Sequence, residues 1–143
     1  MNLKILGMID ISSLEKAHAQ LEKSYAFSVS ELAESDEEIF ELSRLASIQA
    51  FEFCYELSIK FMQRALQEMG ASGKPVDHLT FYDFIKESKE SGLIQDTDKW
   101  LDYRSKRNMT SHTYGEESAN IVYGILPEFK TDIAALITRL KEL

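Results

Sequence analysis

The sequence predicts an all-α protein, and three observations support this fold class. Apolar residues recur at helical spacing along most of the chain. The 143 residues include only 6 glycines and 2 prolines, which disfavours a turn-rich β fold and suits long helices with few loops. The strict alternation of a half-buried strand never continues beyond a few residues. We therefore expect one domain over residues 1–143, an up-and-down bundle of four or five helices.

The first helix is predicted over residues 12–27, where apolar residues recur on one side. They are Leu14, Ala17, Leu21 and Tyr25. The next segment carries six carboxylates between residues 31 and 41. These carboxylates either form a docking surface for a basic partner or are solvated groups that favour the positive end of a helix dipole. The second interpretation is preferred.

The second helix, predicted over residues 36–69, is the longest and carries apolar residues on more than one side. A helix of this kind is either central in a bundle or shared with a second subunit. Gly70 and Gly73 are expected to end it, and Pro75 follows shortly after, as is common beyond a helix C-terminus.

The third helix is predicted over residues 81–90, because Thr80 and Asp83 have the spacing of a capping box. Asp96 or Thr97 is expected to open a fourth helix, since both residue types suit the N-terminal cap position.

Gly115 separates this fourth helix from the last one, which is predicted over residues 117–142. Pro127 falls inside the apolar pattern of the last helix. Proline lacks the backbone N–H and its ring contacts the preceding turn, so Pro127 should kink this helix or divide it in two.

The composition limits the possible functions. A formal net charge of −8 argues against a broad nucleic-acid surface, so any RNA contact must rest on a local basic site. The single cysteine, Cys54, allows no disulfide within the chain and is expected to be a small buried hydrophobe. Neither a metal nor a cofactor is expected. No targeting segment or membrane-spanning apolar run is visible, and we predict a cytoplasmic protein.

Local positive charge is concentrated in Lys99, Arg104, Lys106 and Arg107. Residues 107–114 then read R-N-M-T-S-H-T-Y. RNA cleavage without a metal needs a base for the 2′-hydroxyl and a cation for the charged phosphorane, roles that suit His112 and Arg107. Residues five apart on a helix point about 140° away from each other. The helix must therefore end near Ser111, or a second subunit must complete the site. A solvated arginine in a polar helix terminus is the alternative.

Two blocks of the sequence resemble the nucleotidyltransferase substrate-binding proteins, a branch of the HEPN superfamily. Residues 51–57, F-E-F-C-Y-E-L, are similar to the family's F-E-F-x-Y-E-L. Residues 107–114 are similar to its R-N-x-[ST]-x-H-x-Y. Trp100, Leu101 and helices in matching order extend the resemblance over nearly the full length.

The resemblance implies a helical bundle that forms a homodimer, with the R-x4-H motifs of both subunits facing one cleft that binds RNA or a nucleotide. It also implies a minimal nucleotidyltransferase as partner. Arg107 and His112 would be the catalytic pair of a ribonuclease toxin, and the partner would silence it by attaching AMP to Tyr114. Asn108 and Ser111 would bind the nucleotide beside Tyr114.

Two other functions are compatible with the same residues. One is a non-catalytic nucleotide- or substrate-binding subunit of a two-component nucleotidyltransferase, and the other is a plain helical interaction module. The chain lacks the glycine-serine loop and paired aspartates of the transferase itself. Glu52 and Glu56, four residues apart on one helix face, either orient Arg107 by a salt bridge or remain solvated.

Overall fold

A computed structural model describes residues 10–70, 75–110 and 115–143. Within these ranges the chain forms seven α-helices, one short 3-10 helix and no strand, which confirms the all-α prediction. The helices are α1 (Ser12–Ser28), α2 (Glu31–Ser35), α3 (Glu37–Met69), the 3-10 helix (Val76–His78), α4 (Phe81–Glu90), α5 (Thr97–Thr110), α6 (Glu116–Gly124) and α7 (Leu126–Glu142). In the described ranges, no helix is both long and apolar enough for a membrane span.

The residues at its two ends determine where the long helix α3 begins and ends. The Asp36 carboxylate accepts hydrogen bonds from the backbone N–H groups of Glu38 and Ile39 at 3.0 and 3.3 Å, and so caps the N-terminus. At the other end Gly70 adopts a φ of 61°, in the left-handed region that glycine enters without a Cβ penalty. The 33 residues of α3 extend over about 50 Å.

The described ranges contain two helices more than the five expected. Ser30 caps the short helix α2 inside the acidic segment by accepting a hydrogen bond from the Ala33 N–H at 3.3 Å. The second difference is the division of the last predicted helix at Ile125, which separates α6 from α7. Pro127 occupies the first turn of α7, where its missing N–H removes no helical hydrogen bond. Of the two outcomes expected from this proline, the structure adopts the division.

Aromatic rings fill the centre of the bundle, where α3, α5 and α7 meet. The ring of Phe129 contacts Phe51 and Tyr103 edge-to-face, with centroids 4.7 and 5.0 Å apart. Trp100 packs edge-to-face on Tyr103 at 5.3 Å. All four side chains are buried. Such pairs contribute about 0.5–1.5 kcal/mol each beyond the burial of their area. Cys54 is also fully buried, as predicted.

A buried arginine attaches α6 to α3. Arg44 is 9% exposed, and its Nη1 donates a hydrogen bond to Asn120 Oδ1 at 2.7 Å. The same Nη1 lies 3.9 Å from the carboxylate of Glu116, the first residue of α6. A buried guanidinium that lost these partners would be strongly destabilising, so Arg44 fixes where α6 begins on α3.

Candidate functional site

Arg107 lies in the last turn of α5, and its guanidinium is held against α3. Its Nε donates a hydrogen bond to Glu56 at 3.2 Å, and its Nη2 bonds the same carboxylate. Nη1 lies 3.4 Å from the carboxylate of Glu52 and donates to Thr110 Oγ1 at 3.0 Å. Because Glu52 and Glu56 are one turn apart, both face α5. Of the two interpretations of these glutamates, the structure has them paired with Arg107.

The cluster of Arg107, Glu52 and Glu56 carries one positive and two negative formal charges. The Arg107 side chain is 25% exposed, so the guanidinium keeps one edge towards solvent. Partly exposed ion pairs each contribute about 0.2–1 kcal/mol, enough to favour one orientation of the side chain. An anion that approaches Arg107 must therefore also approach two carboxylates.

Of the four remaining predicted site residues, one is described. Asn108 is exposed on α5. Ser111, His112 and Tyr114 lie outside the described residues, so the structure gives no distance from Arg107 to His112. The described part of α5 reaches Thr110, so an end of this helix near Ser111 stays a prediction.

A second arginine of α5, Arg104, belongs to the same surface and was grouped only with the basic segment from the sequence. Its guanidinium carbon lies 4.2 Å from the centroid of the Phe81 ring, which begins α4. In residues 10–70, 75–110 and 115–143 it forms no ion pair, whereas Lys106 pairs with Asp102 at 2.7 Å. Because Arg104 and Phe81 are far apart in the sequence, no local sequence pattern predicts their contact.

The charges of both arginines act on the phenol of Tyr55, a buried residue of α3. Burial raises the pKa of Tyr55 to about 12, and the positive charges of Arg104 and Arg107 act in the opposite direction. Both guanidinium groups are therefore close enough to exert a field on one buried hydroxyl of α3. The two arginines and Tyr55 form one electrostatic unit at the contact between α3 and α5.

Beside this unit α3 exposes a row of large apolar side chains. Leu42, Leu45 and Phe53 are 62%, 53% and 54% exposed. Their positions lie within about 100° of those of Glu52 and Glu56 around the helix axis. Phe53 comes from the F-E-F-C-Y-E-L block, in which Phe51 and Tyr55 are buried. Exposed apolar rows of this kind commonly mark a protein–protein interface.

Metal binding finds no support in the part of the chain that the structure describes. No group of three or more histidine, cysteine, aspartate and glutamate residues there is arranged to hold a metal ion. His18 instead lies 3.2 Å from the Lys130 carbonyl and 3.5 Å from Glu22, as a structural residue would.

The fold and this cluster define a class of protein: a helical bundle in which two glutamates of the longest described helix hold an arginine of another helix. A family described as "nucleotidyltransferase substrate binding protein like" matches residues 9–142 of the sequence. The chain belongs to this family, as the resemblance implied.

Individual relatives agree with this assignment. The chain is 41% identical over 96 residues to a Haemophilus influenzae protein named "probable ribonuclease HepT". That match covers 67% of this chain and 66% of the relative, slightly less than two thirds of its length.

Solved structures match over more of the chain. A Haemophilus influenzae protein, described as revealing the fold of a substrate binding domain of a nucleotidyltransferase, superposes with a TM-score of 0.86 and 33% identity. The match covers 92% of this chain and 99% of that one. A Thermus thermophilus protein superposes with a TM-score of 0.71 and 28% identity, over 90% and 98% of the two chains.

Proposed function

We propose that this protein is the helical partner of a minimal nucleotidyltransferase and a metal-independent ribonuclease, with Arg107 and His112 as its catalytic pair. One observation carries the proposal: Glu52 and Glu56 hold Arg107, the first residue of the R-x4-H-x-Y motif, half-buried against α3. The family of nucleotidyltransferase substrate-binding proteins and the relative named as a probable ribonuclease support it.

The chemistry follows from the two side chains. The imidazole of His112 takes the proton of a 2′-hydroxyl, and the 2′-oxygen bonds to the adjacent phosphorus. The bond from phosphorus to the 5′-oxygen breaks, and that oxygen takes up a proton from the imidazolium. Arg107 stabilises the negative charge on the phosphorane. The products carry a 2′,3′-cyclic phosphate and a 5′-hydroxyl.

The proposal includes a homodimer and regulation by the partner. The exposed row Leu42, Leu45 and Phe53 supports pairing of two copies through α3, next to the arginine cluster. A second copy would bring a second basic site to a chain whose net charge is −8. The nucleotidyltransferase would attach AMP to Tyr114, adding bulk and negative charge that repel an RNA phosphate.

RNA cleavage in the presence of EDTA tests the catalytic part. We expect the wild type to release products with 2′,3′-cyclic phosphate ends, and Arg107→Ala and His112→Ala each to lower kcat by at least about 100-fold. His78→Ala is the matched control, because His78 lies in the 3-10 helix outside the cluster. An inert wild type that is correctly folded and dimeric would contradict ribonuclease activity.

Co-expression with the nucleotidyltransferase tests the regulation. Intact mass should show adenylyl increments on the wild type and none on Tyr114→Phe, which should also remain an active nuclease in the presence of its partner. Modification at another residue would contradict the role of Tyr114.

The compensated charge of Arg107 favours a second candidate, a non-catalytic nucleotide-binding subunit of a two-component transferase. Glu52 and Glu56 already neutralise the guanidinium, and one solved relative is described as a substrate binding domain. Calorimetry with ATP distinguishes the two functions. Nucleotide binding that depends on Arg107, in a protein without nuclease activity, would favour this candidate.

A further inference from the structure

Arg104 and Arg107 lie one turn apart on the same side of α5, but they differ in whether carboxylates neutralise their charge. The Arg107 guanidinium donates two hydrogen bonds to Glu56 and forms a further ion pair with Glu52 at 3.4 Å. Arg104 is exposed, and among the described residues no carboxylate pairs with it. A phosphate that approaches this surface therefore meets an uncompensated charge at Arg104 and a compensated one at Arg107.

The contact with Phe81 prepares Arg104 for an anion. The guanidinium carbon lies over the Phe81 ring, 4.2 Å from its centroid, as in a cation–π contact. Among the described residues no hydrogen-bond acceptor or carboxylate pairs with the N–H groups of Arg104, and their planar arrangement matches two phosphate oxygens. The ring also limits the rotamers of the side chain, so less conformational entropy is lost when a phosphate binds.

The neighbouring lysines of the basic segment are less suited than Arg104 to bind a phosphate next to Arg107. Lys106 is paired with Asp102. Lys99 is five residues before Arg104, which places it about 140° round the helix. It lines a separate cavity of about 540 Å³ together with Asp132 and Arg139. Of the four cations in the basic segment, Arg104 alone combines exposure, a fixed orientation and proximity to Arg107.

We infer that Arg104 is a substrate-binding residue, which binds a backbone phosphate of single-stranded RNA beside the one that Arg107 stabilises. The inference rests on the proposed ribonuclease function and assigns the binding of substrate to a residue outside the R-x4-H-x-Y motif. Arg104 contributes to affinity, whereas Arg107 acts on the reacting phosphate.

The test compares Arg104→Ala, Arg104→Lys and Phe81→Leu with Lys99→Ala as the matched control on the same helix. Cleavage kinetics should show a KM about tenfold higher for Arg104→Ala, with kcat changed less than about twofold. Phe81→Leu keeps the charge but removes the ring, and should raise KM by about threefold. The KM of Arg104→Lys should lie between those of the wild type and Arg104→Ala, because lysine supplies the charge without the planar pair of donors.

Binding measured directly separates a phosphate contact from a structural effect. Fluorescence anisotropy with a labelled single-stranded RNA, in the His112→Ala background, should give a salt dependence whose log–log slope is shallower by about 0.7 for Arg104→Ala. Arg104→Lys should keep the wild-type slope. Lys99→Ala should change neither slope nor affinity. Circular dichroism verifies folding, and Arg104→Gln provides the same comparison if the alanine variant unfolds.

The outcomes distinguish this inference from the proposed function. If the wild type cleaves RNA but Arg104→Ala matches Lys99→Ala in KM and salt slope, Arg104 does not bind the substrate and the ribonuclease proposal stands. A fall in kcat at unchanged KM would likewise overturn the binding role. A wild type that neither binds nor cleaves RNA would overturn both.

Discussion

The ion pairs that hold Arg107 against α3 allow the coupling free energy between Arg107 and each glutamate to be predicted. The perturbation is a double-mutant cycle in which Arg107→Gln is combined with Glu56→Gln and, separately, with Glu52→Gln. Glutamine keeps most of the shape of each side chain and removes its charge. The cycle reports the coupling between the two residues and cancels effects that each substitution has alone.

The magnitude follows from the geometry. At the 3.4 Å that separates Arg107 Nη1 from Glu52, the Coulomb attraction at an effective dielectric constant of about 20 is about 5 kcal/mol. Solvent screening and the ordering of two long side chains offset most of this attraction in partly exposed pairs. We expect a coupling of about 0.5 kcal/mol for Glu52 and about 1 kcal/mol for Glu56, which receives two hydrogen bonds from the guanidinium.

Urea unfolding followed by circular dichroism measures both couplings, first at about 0.1 M and then at about 1 M salt, where the Debye length falls to about 3 Å. Both couplings should fall by about half at high salt. The pair Asp102 and Lys106, local to α5, provides a control whose expected coupling is about 0.3–0.5 kcal/mol. Couplings indistinguishable from zero for both glutamates at low salt would refute the claim that α3 orients Arg107.

Two further predictions concern the core and the exposed row on α3. Burial raises the pKa of the Cys54 thiol from 9.0 to about 12. Between these pH values the thiol ionises in the unfolded chain but stays neutral in the folded one. The stability that its burial provides is therefore complete below pH 9 and is lost as the pH rises towards 12. At about pH 11 the wild type should have lost about 3 kcal/mol through this thiol, and Cys54→Ala should have a correspondingly flatter pH profile in urea unfolding. If the unfolding free energies of the wild type and Cys54→Ala changed with pH in parallel, the role of this thiol would be contradicted. Phe129→Ala should cost about 3–5 kcal/mol because the ring is fully buried, whereas Phe53→Ala should cost less than about 1 kcal/mol in the monomer and weaken self-association, measured by sedimentation. Equal losses of unfolding free energy would show that Phe53 is a core residue.

The bounds of the long helix were predictable because its end signals are local. Asp36 precedes the helix and caps it, and Gly70 ends it, so both signals are visible in a few adjacent residues. The division near Pro127 was predicted only as one of two outcomes. A proline excludes a regular straight helix, but the packing of α6 and α7 decides between a kink and a break.

The contacts of the site were not predictable to the same degree. The sequence places Glu52 and Glu56 on one face but cannot say whether α5 lies opposite them, because Arg107 is 51 residues from Glu56. Arg44 carries no sequence signal for burial, since its partners Glu116 and Asn120 lie far along the chain. The contact of Arg104 with Phe81 depends in the same way on how α4 packs against α5.

The two attachments to α3 bear on the placement of α5 and α6. Arg44 and Glu52 are eight residues apart, about 12 Å along the helix axis. Through them a single rigid helix fixes both the arginine before residues 111–114 and the start of the helix after them. The positions of the two helices that residues 111–114 connect are therefore both set by α3. Homologous chains that keep both attachments should therefore keep the relative placement of α5 and α6, even where the residues that join these helices differ.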